Sequence, residues 1–226
     1  MNLSKRNKKV AIARWKKIHT KEKENIPKDK KSLIIKAGIC GFLAGDGSVQ
    51  KRKEKNYYKH QIDFFPDDKL MKNTYIKQIM HIYNKTPSIK KMNNFYSVRI
   101  SSKTIYEDLN NYAKFGLKSW TLPTNLFKIE GAIQKWLKGF FSSEAYINKT
   151  CIKVQTINLD GMKKISKILH NLGIHNNYYE YNSKIETESP VGIIQIVRKE
   201  SRIKFYKIVG FWHEKKSKTL KEALDL

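Results

Sequence analysis

The chain of 226 residues carries 46 lysines and arginines against 20 aspartates and glutamates, which gives a formal net charge of +26. Charge of this size repels itself in a compact fold unless a polyanion neutralises it, so the composition predicts a nucleic-acid partner. An anionic membrane surface fits less well, because no strongly amphipathic helix with a bulky apolar face is evident. No apolar run approaches the roughly 20 residues of a membrane span. The remaining alternative is a merely solvated basic surface.

The two cysteines, Cys40 and Cys151, form no C-x-x-C pair. This excludes a zinc knuckle and a disulfide framework, and it favours a reducing compartment. No long apolar run follows the basic N-terminus, as a secretion signal would require. We therefore expect a cytoplasmic, nucleoid-associated protein or an organellar one, and not a secreted one.

Residues 1–32 stand apart as a basic N-terminal arm. The stretch 4–19 is rich in lysine and arginine and contains Val10, Ile12 and Trp15, which predicts a short basic helix. Such an arm would add phosphate contacts on one flank of a nucleic acid. A disordered tail is the alternative.

Residues 33–128 predict a unit of three helices and four strands. Apolar and polar residues alternate around Ile62 and Phe64, and apolar residues recur at helical spacing between residues 66 and 83. In chain order the predicted elements are a helix over 34–45, strands over 48–52 and 58–65, a helix over 66–83, strands over 88–92 and 96–101, and a helix over 103–114.

Residues 129–213 repeat this order, and residues 214–226 form a C-terminal tail with a short helix. The predicted elements of this second unit are a helix over 132–143, strands over 145–148 and 151–157, a helix over 159–172, strands over 176–181 and 192–197, and a helix over 201–209. The exits of the two units also match, because K-S-W-T-L at 118–122 resembles K-S-K-T-L at 216–220. A repeat of this length indicates an internal duplication, since solenoid repeats are shorter.

The strongest repeat lies in the first helix of each unit. Residues 39–47 read I-C-G-F-L-A-G-D-G and residues 137–145 read L-K-G-F-F-S-S-E-A. Gly41 matches Gly139, and Asp46 matches Glu144 at an offset of 98 residues. Two helices that pack closely at such small residues bring the two acids together at one end. Neighbouring carboxylates are typical of a divalent-metal site.

These paired segments resemble the LAGLIDADG motifs of homing endonucleases, in the single-chain form with two motifs, over about residues 33–213. The resemblance implies an α+β fold of two pseudo-symmetric αββαββα halves, whose curved antiparallel sheets form a DNA-binding saddle. It implies a monomeric, sequence-specific endonuclease that hydrolyses both strands of a long, partly palindromic DNA site. The expected cofactor is Mg²⁺, which Mn²⁺ can replace, and the expected partner is double-stranded DNA.

Carried over residue by residue, the resemblance makes Asp46 and Glu144 the catalytic, metal-binding acids, with Gly45 and Ser143 beside them at the metal. It places catalytic cations at the strand-to-helix junctions, where Lys103 lies in the first half and Lys199, or alternatively Arg198, in the second. The family often has a water-ordering glutamine near the end of the second strand of a half. Here Phe65 and Ile157 fall about there, with Gln61 and Gln155 nearby, and Ala145 replaces the usual last glycine of the second motif. The predicted DNA contacts are basic and glutamine side chains of the sheet regions: Lys51, Arg52, Lys53, Lys59, Gln61, Lys90, Lys91, Arg99, Lys149, Lys153, Gln155 and Arg198.

A second class of function stays open. A non-cleaving nucleic-acid binder of the same fold, either an intron RNA maturase or a DNA-binding regulator, would fit the charge as well, and RNA would be a partner only in that case. The presence of both acids favours the nuclease, because a pure binder has no use for paired carboxylates. An intein origin is not expected, because no splicing-domain blocks are evident at either end.

Overall fold

The computed structural model describes residues 3–55, 57–182 and 189–226. The helices in this part of the chain are α1 Leu3–Glu24, α2 Lys30–Asp46, α3 Lys69–Tyr83, α4 Lys103–Asn110, α5 Thr124–Phe127, α6 Ala132–Glu144, α7 Leu159–Asn171, α8 Lys199–Ile208 and α9 Glu214–Glu222. The strands are β1 Gly47–Lys53, β2 Tyr58–Phe64, β3 Ser88–Lys91, β4 Tyr96–Ser101, β5 Tyr146–Ile147, β6 Ile152–Thr156, β7 Asn177–Tyr181 and β8 Val191–Ile196. No helix of the described ranges is both long enough and apolar enough to span a bilayer.

The strands form two four-stranded antiparallel sheets with matching topology. The first sheet has the order β1-β2-β4-β3 and the second β5-β6-β8-β7. The predicted α+β class with two pseudo-symmetric αββαββα halves is therefore confirmed. Some boundaries differ from those predicted. Helix α3 begins at Lys69 because the Asp68 side chain accepts a hydrogen bond from the Met71 amide and caps it.

The two motif helices, α2 and α6, pack against each other at the centre of the molecule, as the repeat predicts. A Cβ atom at Gly41 would overlap the main-chain carbonyl of Trp136, and one at Gly139 would lie 2.6 Å from the carbonyl oxygen of Gly38. Only glycine permits this backbone approach. Phe42, on the helix face beside it, is fully buried. The two helices therefore act as one core element that both halves share.

Each sheet covers the core with one face only. On β2 and β4 the side chains of Ile62, Phe64, Val98 and Ile100 are buried in the hydrophobic core. Because side chains alternate along a strand, the residues between them lie on the opposite side. We call this opposite side the open face; on the first sheet it carries Ser48, Gln50, Arg52, Lys59, Gln61, Asp63, Ser88, Lys90, Ser97, Arg99 and Ser101.

The N-terminal arm is a helix of 22 residues, longer than predicted, and its C-terminal end is anchored on α4. The Nδ1 atom of His19 and the Oγ1 atom of Thr104 lie 3.0 Å apart, and the Thr104 hydroxyl donates a 2.6 Å hydrogen bond to Glu22. Lys23 pairs with Glu107 at 2.6 Å. These contacts attach the arm to the first half of the protein.

The C-terminal segment is also part of the folded body. The short helix predicted in the C-terminal tail forms as α9, which buries Leu220 in the core, and Leu224, just after the helix, is buried there as well. The start of this helix lies beside the ends of the two motif helices, which matters for the site described next.

Candidate active site and nucleic-acid interface

The two predicted catalytic acids are the last residues of the central helices. Asp46 ends α2 and Glu144 ends α6. A Cβ atom at Gly45 would lie 2.5 Å from the Cβ of Ser143 and 3.2 Å from the Cγ of Glu144. The two helix ends therefore touch, and the close packing along their length brings the two carboxylates to one place.

Burial makes both acids costly to ionise. It raises the pKa of Asp46 to about 6, although the ammonium of Lys216 opposes this shift. Burial, together with the neighbouring charge of Asp46, raises the pKa of Glu144 to about 7. The buried hydroxyl of Ser143 lies near enough to Asp46 to lower the pKa of that acid slightly, although among the described residues it makes no hydrogen bond of ordinary geometry. A cation between the two acids would favour their ionised forms.

The donor set fits a hard divalent cation that keeps part of its own shell. Across the described ranges, no group of three or more His, Cys, Asp or Glu side chains could hold a metal ion by itself. Mg²⁺ is commonly bound through one or two carboxylates, with waters and substrate phosphate oxygens as its other ligands. Asp46 and Glu144 supply that number of carboxylates, and Gly45 and Ser143 lie next to them.

A third charged residue at the site, Lys216, was not among the predicted site residues. Its ammonium donates hydrogen bonds of 2.6 Å and 2.8 Å to the carbonyl oxygens of Ser142 and Ser143, in the last turn of α6. Burial lowers the pKa of this lysine, while the carboxylates of Asp67, Asp46 and Glu144 oppose the shift. The lysine therefore brings a positive charge to the two acids from the start of α9.

The sequence contained a signal for this lysine in the matched exits of the two halves, where Lys216 corresponds to Lys118. The two lysines do not have equivalent surroundings. Lys118 is exposed and donates a 2.8 Å hydrogen bond to the hydroxyl of Ser189. Lys216 from the second half therefore reaches the candidate site, and Lys118, its counterpart in the first half, does not.

The structure corrects the prediction that Lys103 and Lys199 lie at the catalytic centre. Gly47, the residue after Asp46, pairs with Phe64 on β2. Ser101, two residues before Lys103, pairs with Gln61, which lies three residues from Phe64 along the same strand. Three strand residues span about 10 Å, so the junction is remote from the acids. The Lys103 ammonium lies 3.6 Å from Glu107.

Lys199 has the corresponding place in the second half. It starts α8 after β8, and its ammonium lies 3.5 Å from Asp225. More than half of its side chain is exposed. In both halves the strand-to-helix junction lies at the end of the sheet that points away from the acids, which is why neither lysine reaches them.

The positions opposite the two acids differ between the halves. The amide of Phe65 donates a 3.0 Å hydrogen bond to the carbonyl of Asp46, so Phe65 lies opposite the first acid. In the second half Tyr146 pairs with Lys153, and continuing this register places Gln155 opposite Glu144. The register thus puts Gln155, which the sequence places only nearby, at the position expected for the water-ordering glutamine in the second half, in place of Ile157. The short β5–β6 hairpin shifts the register.

His213 links the start of α9 to the first half of the protein. Its Nδ1 atom accepts a 3.3 Å hydrogen bond from the Lys216 amide, and its Nε2 atom lies 3.5 Å from Oδ1 of Asp67. Hydrogen bonding to His213 lowers the pKa of Asp67. Asp67 also lines a surface pocket with Asp46, Phe65, Phe95 and Ser143. His213 therefore fixes the helix turn that directs Lys216 toward the acids.

The predicted DNA contacts of the first half lie on both faces of the sheet, because side chains alternate along each strand. Strand pairing places Arg52, Lys59, Gln61, Lys90 and Arg99 on the open face. Gln61, however, is only 5% exposed, and it donates to Asp63. The other three predicted contacts are Lys51, Lys53 and Lys91. Each is adjacent in sequence to an open-face residue and therefore lies on the opposite side of the sheet, so the structure corrects these three predictions.

In the second half Lys153 and Gln155 lie on the open face, between the buried side chains of β6. Lys149 is exposed in the β5–β6 loop, and Arg198 is exposed immediately before α8. The open face of this sheet also presents tyrosines that were not predicted site residues. Tyr146, Tyr179 and Tyr181 are between 41% and 63% exposed.

Comparison with known proteins agrees with this architecture. Residues 132–210 match the sequence model of the LAGLIDADG-like domain. The chain is 25% identical over 221 residues to a DNA polymerase of Thermococcus kodakarensis, covering 89% of this chain but only 12% of the polymerase. It is 27% identical over 206 residues to an uncharacterized protein of Methanocaldococcus jannaschii, covering 83% of this chain and 70% of that protein.

Solved structures share the fold at low sequence identity. The homing endonuclease I-DmoI, in complex with DNA and Mn, superimposes with a TM-score of 0.64 and 19% identity, covering 79% of this chain and 97% of its own. Full-length DUF199/WhiA from Thermatoga maritima superimposes with a TM-score of 0.57 and 11% identity, covering 91% of this chain and 65% of its own. These matches, with the LAGLIDADG-like domain in the second half, confirm the resemblance to the LAGLIDADG family.

Proposed function

We propose that this chain is a sequence-specific, metal-dependent endonuclease that cuts both strands of duplex DNA. The observation that carries the proposal is the pair of largely buried acids, Asp46 and Glu144, at the touching ends of two helices that otherwise serve only packing. A pure binder gains nothing from two acids whose pKa values are raised by burial and by neighbouring carboxylates. A nuclease needs such a pair to hold divalent cations beside a phosphate.

In this proposal each residue has a separate task. Asp46 and Glu144 hold Mg²⁺, or Mn²⁺ in its place, with Gly45 and Ser143 beside them. The bound metal would polarise the scissile phosphate and lower the pKa of a water molecule. Lys216 offers its ammonium to the charge that develops on the phosphate, and Gln155 orients water on the side of the second half. The fold similarity to I-DmoI, described as a complex with DNA and Mn, supports divalent metal use.

DNA is proposed to lie across the open faces of the two sheets. The net charge of +26 supplies the attraction, and Arg52, Lys59, Lys90, Arg99 and Lys153 are positioned for contact. The two open faces carry different side chains, so the site would be only partly palindromic and one monomer would occupy it. The basic helix α1 would extend the contacts along the flank next to the first half.

A non-cleaving binder of the same fold is the second candidate. It is favoured by Phe65, an apolar residue opposite Asp46 where the second half has Gln155. The matches to segments that make up 12% of two DNA polymerases are also compatible with an intein-like context, which the sequence alone did not lead us to expect.

A selection experiment that requires no chosen target sequence tests the proposal. A library of randomised duplex DNA is incubated with the protein and Mg²⁺, and cleaved molecules are captured by ligation and sequenced. The proposal expects one enriched site, cut on both strands, with no products in EDTA or with Asp46→Asn. Enrichment of bound but uncut DNA in Mg²⁺ and in Mn²⁺ would instead support the non-cleaving binder.

A further inference from the structure

Asp63 and Arg99 form a charged pair on the open face of the first sheet. They are cross-strand neighbours on β2 and β4, and the Nε of Arg99 lies 2.6 Å from Oδ1 of Asp63. Asp63 is almost completely buried, whereas 47% of the Arg99 side chain is exposed. The pair therefore has one end inside the protein and one end at the surface.

The second oxygen of Asp63 is also engaged, because the Gln61 side-chain amide donates to Oδ2. Both carboxylate oxygens thus have donors, and the carboxylate cannot rotate without losing one of them. Breaking a buried pair of this kind leaves an unpaired charge, so Arg99 is held strongly at its Nε atom. The carbonyl of Arg99 accepts a 3.2 Å hydrogen bond from Ser88 on the neighbouring strand.

The contact with Asp63 uses only the Nε atom of Arg99, and nearly half of the side chain is exposed. A guanidinium has five donors in a fixed plane, and Asp63 uses the one on Nε. Among the residues that the structure describes, neither terminal nitrogen of Arg99 makes a hydrogen bond. An arginine that is fixed at Nε and presents its two terminal nitrogens has the geometry to bind the O6 and N7 atoms of a guanine.

We infer that Arg99, positioned by Asp63, reads one guanine in the half of the DNA site that the first sheet binds. The inference rests on the proposed function, since it requires duplex DNA on the open face. Asp63 acts as a positioning residue, because its buried carboxylate orients the guanidinium without reaching the base. A contact of Arg99 with a phosphate would use the same chemistry but would carry no sequence information.

The corresponding positions of the second sheet, all within the described residues, hold no equivalent pair. Ser48 and Tyr146 each lie two residues after the acid of their half. The row of paired residues that begins at Ser48 is Ser48–Asp63–Arg99, and the row that begins at Tyr146 is Tyr146–Lys153–Gln195. A lysine replaces the aspartate and a glutamine replaces the arginine. The guanine preference is therefore expected in one half-site only, which makes this position a marker for the orientation of the protein on its target.

Binding selection from a randomised duplex library, in EDTA so that no strand is cut, tests the inference. Wild type, Arg99→Ala and Asp63→Asn are compared, with Arg52→Ala as the control for a second open-face arginine. The wild type should enrich a motif in which one guanine is preferred over the other bases by about ten- to a hundredfold. Arg99→Ala should remove the preference at that position alone, and Asp63→Asn should weaken it at the same position.

The outcomes separate the inference from the function on which it rests. A wild type that enriches no motif overturns the proposed function and the inference with it. A motif that Arg99→Ala leaves unchanged, or a uniform loss of affinity for all sequences, overturns the inference alone and indicates a phosphate contact. Circular dichroism and thermal unfolding of each variant verify the fold. Should Asp63→Asn fail to fold, loss of the one guanine in folded Arg99→Ala still decides the question.

Discussion

The ammonium of Lys216 donates a 2.8 Å hydrogen bond to the main-chain carbonyl of Ser143. This contact joins the start of α9 to the end of α6, where the carbonyl groups of a helix terminus attract a cation. The next residue after Ser143 is Glu144, so the contact also fixes the distance between the lysine and the acid pair. The candidate site is therefore built by the ends of α2 and α6 and the beginning of α9.

Replacing Lys216 by methionine should slow DNA cleavage by roughly 10²- to 10³-fold, as expected for the loss of one group that stabilises developing charge. Methionine keeps most of the buried volume of the side chain, so the fold should persist. Binding of the target in Ca²⁺ should change little, because the open faces are untouched. The measurement is a single-turnover cleavage rate on the site recovered by library selection.

Lys103→Ala and Lys199→Ala are the matched controls for this variant. Both remove a lysine from a helix start in the same protein, but neither lysine reaches the acids in the structure. Their single-turnover rates should stay close to the wild-type rate. A loss in either control as large as that of Lys216→Met would restore the family-based assignment and contradict the geometry described above.

Asp46→Asn and Glu144→Gln should each abolish cleavage of both strands while leaving sequence-specific binding intact. Each change keeps the shape of the side chain and removes one of the two carboxylates that would hold the metal. Asp160→Asn is the control, because this carboxylate is 76% exposed at the start of α7 and pairs with Lys164. Wild-type cleavage by either acid variant would show that these two residues are not the metal site.

The motif helices and the acid pair could be predicted because each rests on a local pattern that the chain repeats. Lys216 could not be placed in the same way. Its role depends on how α9 folds back on the end of α6, 73 residues earlier in the chain at Ser143. The repeat of the exit segments marked the lysine, but only the packing of the helix reveals that it, and not Lys118, lies beside the acids.

The faces of the strands were harder to predict than the strands themselves. Lys51 and Arg52 are adjacent in sequence, and both lie in a correctly predicted strand, yet they point to opposite sides of the sheet. The register that decides this is set by the pairing of Gly47 with Phe64. In the second half the short hairpin after Glu144 changes the register relative to the first half, so Gln155 could not be aligned with Phe65 by counting residues.

Gly41→Ala should destabilise the protein by about 1–3 kcal/mol, the usual cost of forcing extra volume into a packed core. At an open helix position the same change would raise stability, because alanine is the better helix former. The sign therefore reports the backbone contact with Trp136. Urea unfolding measures the free energy, and a Gly41→Ala variant as stable as the wild type would contradict the close packing of α2 and α6.

Replacing Lys16 and Lys17 together by alanine should weaken binding to all DNA sequences about equally. The two exposed lysines lie on α1, away from its anchor on α4, and phosphate contacts carry no sequence information. The slope of log affinity against log salt concentration should fall by about 1 for each lysine. A change in the selected motif, or an unchanged slope, would contradict a phosphate-binding role for the arm.

Metal-free protein should lose stability as the pH rises, because the pKa values of both acids are raised in the fold. Glu144 moves from 4.5 to about 7 and Asp46 from 3.8 to about 6. Between these limits the folded state keeps protons that the unfolded state releases, so the free energy of unfolding falls with increasing pH and levels off above about pH 7. The loss should be on the order of 3 kcal/mol for Glu144, because each pKa unit of the shift corresponds to about 1.4 kcal/mol.

Glu144→Gln removes this penalty and should therefore be more stable than the metal-free wild type at pH 8, by on the order of 3 kcal/mol. At pH 4 the acid is largely protonated in both folded and unfolded states, so the difference between the two proteins should nearly vanish.

Mg²⁺ at pH 8 should stabilise the wild type and have little effect on the variant, because the ion compensates the buried charges only when both carboxylates are present. Thermal unfolding at the two pH values, with Asp160→Asn as the control for a surface carboxylate, makes the comparison. If Glu144→Gln is less stable than the wild type at pH 8 in EDTA, the acid pair is already compensated by Lys216, and the electrostatic argument for a cation at this site fails.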